Sequence, residues 1–234
     1  MLNLLKQLHR RALDQDGESD KLLSLMQAAG AAAGARILDV GCGFGRNMRS
    51  LVAAGLIVTG VEVNPDIVAA NRSDGLDCLS VDEFERTTGK YDVILMAHVI
   101  EHFAPADLLV FMDGYLDRLR PGGRLVIATP LMSNYFYDDF DHVKPYQPAG
   151  ILMVFGSNAQ VQYYSRNKLA LRDLIYRRSP LRISHARSRF IRSPWRFALM
   201  ASDVVSGAAF LASRRLIGKT DGWIGVFEKL DGGR

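Results

Sequence analysis

The chain has 234 residues, of which 48% are hydrophobic and 23% charged, and its formal net charge is +4 at pH 7. This composition is typical of one globular domain, or of a domain with an appendage, and it excludes a wholly disordered protein. Two cysteines are too few for a disulfide framework or a zinc quartet, so we expect a cytoplasmic protein.

Charge is distributed unevenly along the chain. Residues 166–219 contain thirteen Lys and Arg against only Asp173 and Asp203, whereas residues 1–165 contain 14 Lys and Arg against 20 Asp and Glu. Such a basic segment attracts nucleic acid, anionic lipid or a phosphorylated substrate, and it is equally typical of a solvated arginine-rich surface.

The first twenty residues lack the charged start, apolar stretch and small-residue cleavage site of a secretory signal. The spacing of Leu2, Leu5 and Leu8 indicates an amphipathic helix instead, and residues 1–34 are predicted to form N-terminal helices. No stretch reaches the ~20 uninterrupted apolar residues of a membrane span, so we do not expect a spanning protein.

Strands and helices alternate over the next hundred residues. Short apolar or β-branched runs predict strands, and the amphipathic runs between them predict helices. The predicted strands cover 36–40, 57–63, 77–81, 91–97 and 124–129, and the predicted helices cover 46–54, 65–72 and 106–119, with Asn64 as a cap and Pro121-Gly122-Gly123 as a turn. This alternation predicts an α/β fold with a mainly parallel sheet.

The pattern changes after Thr129. Residues 131–164 have no clear period and are rich in Tyr and Phe, which is typical of a substrate lid or of ordinary loop packing. A helix is predicted from Ser165 to about Tyr176, followed by strands over 181–188 and 223–229. Between those strands, a long apolar helix over 194–217 lies within a basic segment, 189–219, that is predicted to be an insertion.

A glycine motif, Ile37-Leu-Asp39-Val-Gly41-Cys42-Gly43-Phe-Gly45-Arg-Asn47, joins the first strand to the next helix. Glycines permit a sharp turn and close approach of a ligand, and a helix N-terminus favours anionic or polar ligand atoms. The spacing is G-x-G-x-G and not the G-x-G-x-x-G of dinucleotide sites. Asp39 would repel a pyrophosphate and suits a cationic amine or sulfonium.

Polar residues follow the later strands. Glu62 ends the second strand, where an acid can accept from the hydroxyls of an adenosine ribose. Asp82 follows the third strand and could meet an adenine amino group, and His98, Glu101 and His102 follow the fourth. Each alone is an ordinary charge at the end of an element, but their order and spacing together indicate a ligand site.

The segments LDVGCGFG, VEVN, YDVILMAHVIEHF and LRPGGRLVIATP resemble the successive motifs of class I S-adenosylmethionine-dependent methyltransferases, especially the small-molecule O-methyltransferase branch that includes ubiquinone-pathway enzymes. The resemblance implies a single Rossmann-like, doubly wound α/β domain of seven strands, the last antiparallel, with S-adenosyl-L-methionine as cofactor. It implies a cofactor site made of Asp39, Gly41, Cys42, Gly43, Gly45, Asn47, Glu62, Val63, Asp82, Ala97 and His98.

The resemblance is incomplete at one motif. Where ubiquinone-pathway relatives have Glu-x-x-Glu-His, which binds a divalent metal, this chain has His98-Val-Ile-Glu101-His102. Because His98 replaces the first Glu, we assign no metal to the site.

Methyl transfer to a hydroxyl requires removal of its proton, and histidine readily accepts a proton near neutral pH. The predicted bases are His102 and His142, because they follow the fourth and fifth strands at the edge where open α/β folds bind ligands. A capping or folding role is the alternative for both. The predicted acceptor is a small-molecule, lipid-linked or glycan hydroxyl.

The basic insertion leaves other partners open. Trp195, Phe197 and Phe210 beside arginines form the pattern of an interfacial helix on an anionic membrane, and equally that of a core or dimer contact. The alternative functions are methylation of RNA or another nucleic acid through the basic segment, and a non-catalytic cofactor-binding subunit. The glycine spacing and Asp39 disfavour a nicotinamide-dependent oxidoreductase.

Overall fold

One seven-stranded sheet organises the computed structural model, which describes residues 18–28, 30–133, 135–156, 162–181 and 195–231. Its strands are β1 (Arg36–Val40), β2 (Ile57–Glu62), β3 (Cys78–Ser80), β4 (Tyr91–Ala97), β5 (Leu119–Pro130), β6 (Leu169–Ser179) and β7 (Lys219–Lys229). Their order across the sheet is β3-β2-β1-β4-β5-β7-β6. Strands β1 to β5 pair in parallel, and the last strand is antiparallel. The predicted fold class is confirmed.

Helices lie between the strands along the described chain. They are α1 (Glu18–Ala28), α2 (Arg46–Ala53), α3 (Pro65–Ser73), α4 (Val81–Glu85), α5 (Pro105–Leu116), α6 (Pro148–Phe155) and α7 (Trp195–Ala212), with 3₁₀ turns at Ile100–His102 and Phe136–Asp138. The residues fall into two compact units, 19–175 with 223–231, and 176–222 with Glu18.

The central strands are apolar because both of their faces are buried. Successive side chains of a strand point to opposite faces. Leu38 and Ile94 accordingly enter one core cluster, and Ile37, Val93 and Leu95 enter the other. Continuous apolar runs are what a parallel sheet covered on both faces requires, so the predicted bounds of β1 and β4 agree with the structure.

The structure differs from the prediction at the end of β3 and at the start of β5, in each case because of a local backbone feature. The predicted strand to Val81 is wrong at its end, because Ser80 caps α4: the Ser80 hydroxyl accepts from the Glu83 N–H at 3.3 Å, and Glu83 accepts from the Ser80 N–H at 2.8 Å. The predicted turn at Pro121-Gly122-Gly123 lies inside β5 as an irregularity, since Tyr91 pairs with Leu119 and Val93 with Arg124.

The helix predicted from Ser165 to Tyr176 is wrong. The segment Leu169–Ser179 is β6, which neighbours β7 in the sheet. Ser165 does not cap a helix: its hydroxyl donates to Asp113 of α5 at 2.5 Å and accepts from the Asn167 N–H at 2.9 Å. Sheet pairing therefore overrides the helix propensity of a Leu- and Arg-rich segment.

Some predicted elements fall outside the described residues. These are the helix at the start of the chain, over 1–17, and the strand over 181–188 apart from Leu181. The predicted helix over 194–217 is described as Trp195–Ala212, and it lies in sequence between the sheet neighbours β6 and β7.

Candidate functional site

The carboxyl ends of β1, β2 and β4 open into a cleft of about 1000 Å³. Five of the residues that the sequence assigns to the site line it: Gly41, Glu62, Val63, His98 and His102. The loops that follow parallel strands meet at one edge of a sheet, which is where open α/β folds bind ligands. The glycine motif, the acidic strand end and two of the histidines therefore share one cavity.

The glycine motif forms a tight loop between β1 and α2. Gly41, Gly43 and Gly45 have φ values of 66°, 51° and 70°, in the left-handed region that side chains disfavour. The N–H groups of Gly41 and Cys42 both donate to the Val61 carbonyl, at 2.8 and 3.1 Å, which ties the loop to β2. A Cβ on Gly43 would meet no protein atom within 4 Å, so a ligand can approach the backbone there.

Glu62 is oriented by three backbone N–H groups. Its Oε2 accepts from Gly43 at 3.0 Å, and its Oε1 accepts from Val63 and Asn64 at 2.9 and 3.0 Å. A carboxylate has roughly four lone-pair positions, so about one is left for a ligand. Glu62 can therefore accept one ribose hydroxyl, and a second hydroxyl would have to replace a loop N–H.

Asp39 is a buried acid within β1. Its side chain is 1% exposed, and its Oδ2 has no hydrogen-bond partner among the described residues. Burial, and then the charge of Glu62, raise the pKa of Asp39 to about 7. A buried carboxylate is stabilised by a cationic partner, which the amine of the predicted cofactor would supply. Asp39 itself is not part of the cleft wall.

Three more predicted cofactor residues lie around the glycine loop without lining the cleft. Cys42 turns its thiol to that of Cys78, 3.6 Å away in the core, and burial raises the pKa of the Cys42 thiol. Gly45 precedes α2, and Asn47 accepts a hydrogen bond from Ser19 at 3.0 Å. Their part in cofactor binding remains a prediction.

Asp82 and Ala97 lie at the same edge of the sheet. Asp82 is exposed in the first turn of α4, between the cleft residues Val81 and Phe84. Ala97 ends β4 and packs against the core. Neither lines the cleft, and their cofactor contacts remain predictions.

Three histidines surround one buried carboxylate beyond β4. Glu101 is 0% exposed; its Oε2 accepts from the Thr129 hydroxyl at 2.9 Å, and its Oε1 lies 3.2 Å from His98 Nδ1. The rings of His102 and His142 have centroids 4.9 Å apart, and each offers a nitrogen within 4.8 Å of a Glu101 oxygen. The sequence places Glu101 in the motif with His98 and His102 but gives it no role of its own, and it does not predict the complete burial of Glu101.

Backbone hydrogen bonds hold the loops that carry His98, Glu101 and His142 together. The His98 N–H donates to the Ala128 carbonyl at 2.8 Å, which holds His98 beside β5 at a left-handed φ of 58°. The N–H groups of Val143 and Lys144 donate to the Glu101 carbonyl at 2.8 and 3.1 Å. The loop after β5 is thereby tied to the turn after β4.

Hydrogen bonds set which ring nitrogens accept protons. His142 Nδ1 lies 2.7 Å from the Phe136 carbonyl oxygen, and His102 Nδ1 lies 3.3 Å from the Asp141 carbonyl oxygen. Because a carbonyl only accepts, we assign the hydrogen to Nδ1 in each neutral ring, which leaves the lone pair on Nε2. Of the two predicted bases, His102 lines the cleft, together with Asp141, and His142 does not.

The same cluster could hold a metal ion, because one donor atom from each of Glu101, His102 and His142 lies within 4.8 Å of the others. Glu101 Oε1 is buried without a hydrogen-bond partner among the described residues, and a metal ion bound there would compete with the contact to His98 Nδ1 at 3.2 Å. Imidazoles with one carboxylate suit transition metals such as Zn²⁺, whereas Mg²⁺ prefers oxygen ligands. The assignment of no metal stays a prediction.

The cleft has an aromatic wall that the sequence does not predict. Phe103 and Phe111 have ring centroids 4.3 Å apart, Phe111 and Tyr115 4.9 Å, and Tyr115 stacks on Phe84 at 5.2 Å. All four rings line the cleft. The four-residue spacing of Phe111 and Tyr115 puts both on one face of α5, but that spacing is equally typical of a core-facing helix.

The predicted lid segment contributes Asp141 to the cleft wall. Its buried aromatics serve packing instead: the Tyr146 hydroxyl donates to the Phe103 carbonyl at 2.9 Å, and Trp223 Nε1 donates to the Tyr146 carbonyl at 2.8 Å. Phe136 and Phe155 are also buried. The exposed aromatics Tyr137, Phe140 and Tyr164 leave a lid role as a prediction.

A family model described as a methyltransferase domain matches residues 6–172, which include every residue of the cleft. The chain belongs to the methyltransferase family. This methyltransferase is 30% identical over 138 residues to the ubiquinone biosynthesis O-methyltransferase of Xanthomonas oryzae pv. oryzae (strain PXO99A), with 52% of this chain and 57% of the relative covered. It is 32% identical over 140 residues to that of Nitrosococcus oceani, with 53% and 58% covered. It therefore spans little more than half the length of these curated relatives.

Solved structures share the fold of this methyltransferase. A SAM dependent methyltransferase from Archaeoglobus fulgidus has a TM-score of 0.56 at 16% identity, with 90% of this chain and 94% of that chain covered. The magnesium protoporphyrin IX methyltransferase of Synechocystis PCC 6803 has a TM-score of 0.58 at 13% identity, with 99% and 86% covered. The predicted membership of the methyltransferase family is confirmed.

Proposed function

We propose that this methyltransferase transfers the methyl group of S-adenosylmethionine to a hydroxyl of a small-molecule, lipid-linked or glycan acceptor, with His102 as general base. One observation carries the proposal: His102 lines the same cleft as Gly41 and Glu62, so an imidazole able to accept a proton lies in the cavity beside the start of the glycine motif. The name shared by the two curated relatives supports O-methylation.

S-adenosylmethionine supplies a sulfonium methyl that is already electrophilic, so the protein has to align the acceptor, exclude water and remove a proton. In this proposal the acceptor hydroxyl gives its proton to His102 Nε2. Asp141 holds the ring through Nδ1, at 3.3 Å from its carbonyl and 3.4 Å from its carboxylate. The buried Glu101 carboxylate stabilises the positive ring that results.

The cleft wall supports an acceptor with an aromatic or extended apolar part. Phe84, Phe103, Phe111 and Tyr115 offer a continuous aromatic surface, and Arg118 adds a cation whose guanidinium carbon lies 4.9 Å from the Phe84 ring centroid. Aromatic rings prefer offset or edge contacts with other flat groups, so a flat acceptor would be held against this wall.

The proposal is tested with S-adenosylmethionine labelled in the methyl group, incubated with cell extract that is then separated into lipid, glycan, RNA and small-molecule fractions. We expect label outside the RNA fraction. The exchange His102→Asn should lower the rate by about 10²- to 10⁴-fold, while S-adenosylhomocysteine affinity stays within twofold. His142→Asn, behind the cleft wall, should have the smaller effect. Label in RNA, or full activity of His102→Asn, would contradict the proposal.

Removing bound metal ions tests whether His102 acts as a general base or as a metal ligand. Because His98 replaces a carboxylate, we expect protein dialysed against EDTA to keep its activity. Loss of activity that Zn²⁺ or Mn²⁺ restores would instead assign His102 to a metal site with Glu101 and His142.

A further inference from the structure

Helix α7 turns apolar side chains outward. Every side chain of α7 that the structure describes as exposed is apolar: Trp195 is 74% exposed, Val205 68% and Leu211 47%, and the others are Phe197 and four alanines. A surface helix of a globular protein normally presents its polar face to water. The exposed side of α7 is therefore unsuited to bulk water.

The buried stripe of α7 carries the charge instead. Asp203, Gly207 and Phe210, at positions i, i+4 and i+7, are buried, and Asp203 is only 1% exposed. Phe210, which the sequence groups with the surface aromatics, packs beside Gly218, where an added Cβ would lie 2.8 Å from its ring. The buried side of the helix thus holds one carboxylate beside Gly207 and Phe210, and its described exposed side is apolar.

Basic residues flank the helix at both ends. Arg214 and Arg215 follow it with left-handed φ values of 53° and 69°, and the Arg215 N–H closes the helix on the Phe210 carbonyl at 2.7 Å. Leu216 and Ile217 come next and are 76% and 55% exposed, so the apolar surface continues past the arginines. Before and at the start of the helix, the sequence has five arginines between 182 and 196.

We infer that this apolar face, made of Trp195, Phe197, Val205, Leu211, Leu216 and Ile217, docks on an anionic lipid surface. An outward apolar face with basic flanks is the arrangement of a helix that lies in a membrane interface, where arginines meet anionic headgroups. Among the helices described, none has both the length and the apolar character to cross a bilayer.

Charge selects lipid over other partners. A second copy of the chain is a poor match, because arginines flank α7 on both sides in the sequence and either direction of self-pairing would bring basic segments together. RNA would pair with the arginines and could stack a base on Trp195, but it offers no apolar partner to Val205 or Leu216. An anionic bilayer satisfies the arginines and the apolar side chains together.

Sedimentation with vesicles tests the inference on the full chain. We expect the protein to pellet with vesicles of phosphatidylglycerol and phosphatidylcholine at low salt, and to stay in solution with pure phosphatidylcholine. Each arginine near such a surface contributes about fivefold in partitioning, so Arg214→Gln with Arg215→Gln should lower it about 25-fold. The effect should shrink as salt shortens the Debye length.

The apolar contribution is tested with Trp195→Ser, Val205→Ser and Leu211→Ser together, which should lower partitioning more than tenfold. A matched control carries Val52→Ser and Ile57→Ser, apolar residues 48% and 57% exposed elsewhere on the surface, and should pellet like the parent. Circular dichroism and S-adenosylhomocysteine affinity should be unchanged in all variants.

Four results would overturn the inference: no pelleting with either vesicle, equal pelleting with both, dimerisation through this face without vesicle binding, or retardation by RNA without vesicle binding. Unfolding of the triple serine variant would also overturn it, because those side chains would then belong to the core. The arginine variant keeps the test decisive, since both of its substitutions are at residues outside the helix.

Discussion

At the scale of single residues, the predicted contact between Asp39 and the cofactor amine implies that cofactor binding depends on pH. Its pKa of about 7 in the free protein means that it is largely protonated at pH 5 to 6, whereas a cationic amine prefers the charged form. S-adenosylhomocysteine affinity should therefore rise about tenfold per pH unit up to about pH 7 and then level off. Calorimetry in buffers of different ionisation enthalpy would show release of one proton below pH 7.

The variant Asp39→Asn should remove this pH dependence and weaken binding by about 1–3 kcal/mol. Affinity independent of pH in the parent protein would contradict the role of Asp39. The raised pKa of Asp39 also makes the free energy of unfolding depend on pH. This free energy falls as the pH rises, whereas ligand affinity increases, because a raised pKa favours the protonated folded state. That contribution is full below pH 3.8 and is lost as the pH rises to about 7.

Gly43 and Gly75 form a matched pair for testing the glycine loop. Both have left-handed φ values, 51° and 77°, and an added Cβ at either would meet no protein atom within 4 Å. Gly43→Val and Gly75→Val should both lower the free energy of unfolding, by about 1–2 kcal/mol from backbone strain. Titration calorimetry should show S-adenosylhomocysteine binding lost in Gly43→Val alone; equal affinities would place the ligand elsewhere.

At the scale of elements, the Ser80 cap holds a helix that carries part of the aromatic wall. Ser80→Ala should lower the free energy of unfolding by about 0.5–2 kcal/mol in urea titrations, because it removes the hydroxyl that accepts from the Glu83 N–H. Ser80→Thr retains the hydroxyl and should stay close to the parent. Since α4 places Phe84 in the cleft, Ser80→Ala should also raise the KM for the acceptor. Equal stability of both variants would show that the cap contributes nothing.

Elements differed in how far the sequence predicts them. The bounds of β1 and β4 follow from uninterrupted apolar runs, which burial on both faces demands. The strand β6 was not predictable, because Leu169–Ser179 has residues that favour helix and is a strand only through pairing in the sheet. The spacing along the chain was enough to predict that Gly41 and Glu62 belong to the site. The burial of Glu101 could not be predicted, because it depends on Thr129, which is 28 residues away.

At the scale of the whole molecule, binding of the correct cofactor should raise the free energy of unfolding. A ligand that binds the folded state at 100 times its Kd raises the free energy of unfolding by about 2.7 kcal/mol. For a chain of this length that corresponds to roughly 5–10 °C in Tm. S-adenosylhomocysteine should produce this shift if, as predicted, its amine is held near Asp39 and its ribose by Glu62.

The dinucleotide NAD⁺ should leave the Tm unchanged at the same concentration. Its pyrophosphate would approach a glycine loop whose nearest acids, Asp39 and Glu62, are both buried and carry the same sign of charge. The control is Gly43→Val, which should lose the shift with S-adenosylhomocysteine while remaining folded in the absence of ligand. A shift with NAD⁺ as large as that with S-adenosylhomocysteine would contradict this cofactor prediction, because the loop beside these acids would then tolerate a dianionic pyrophosphate.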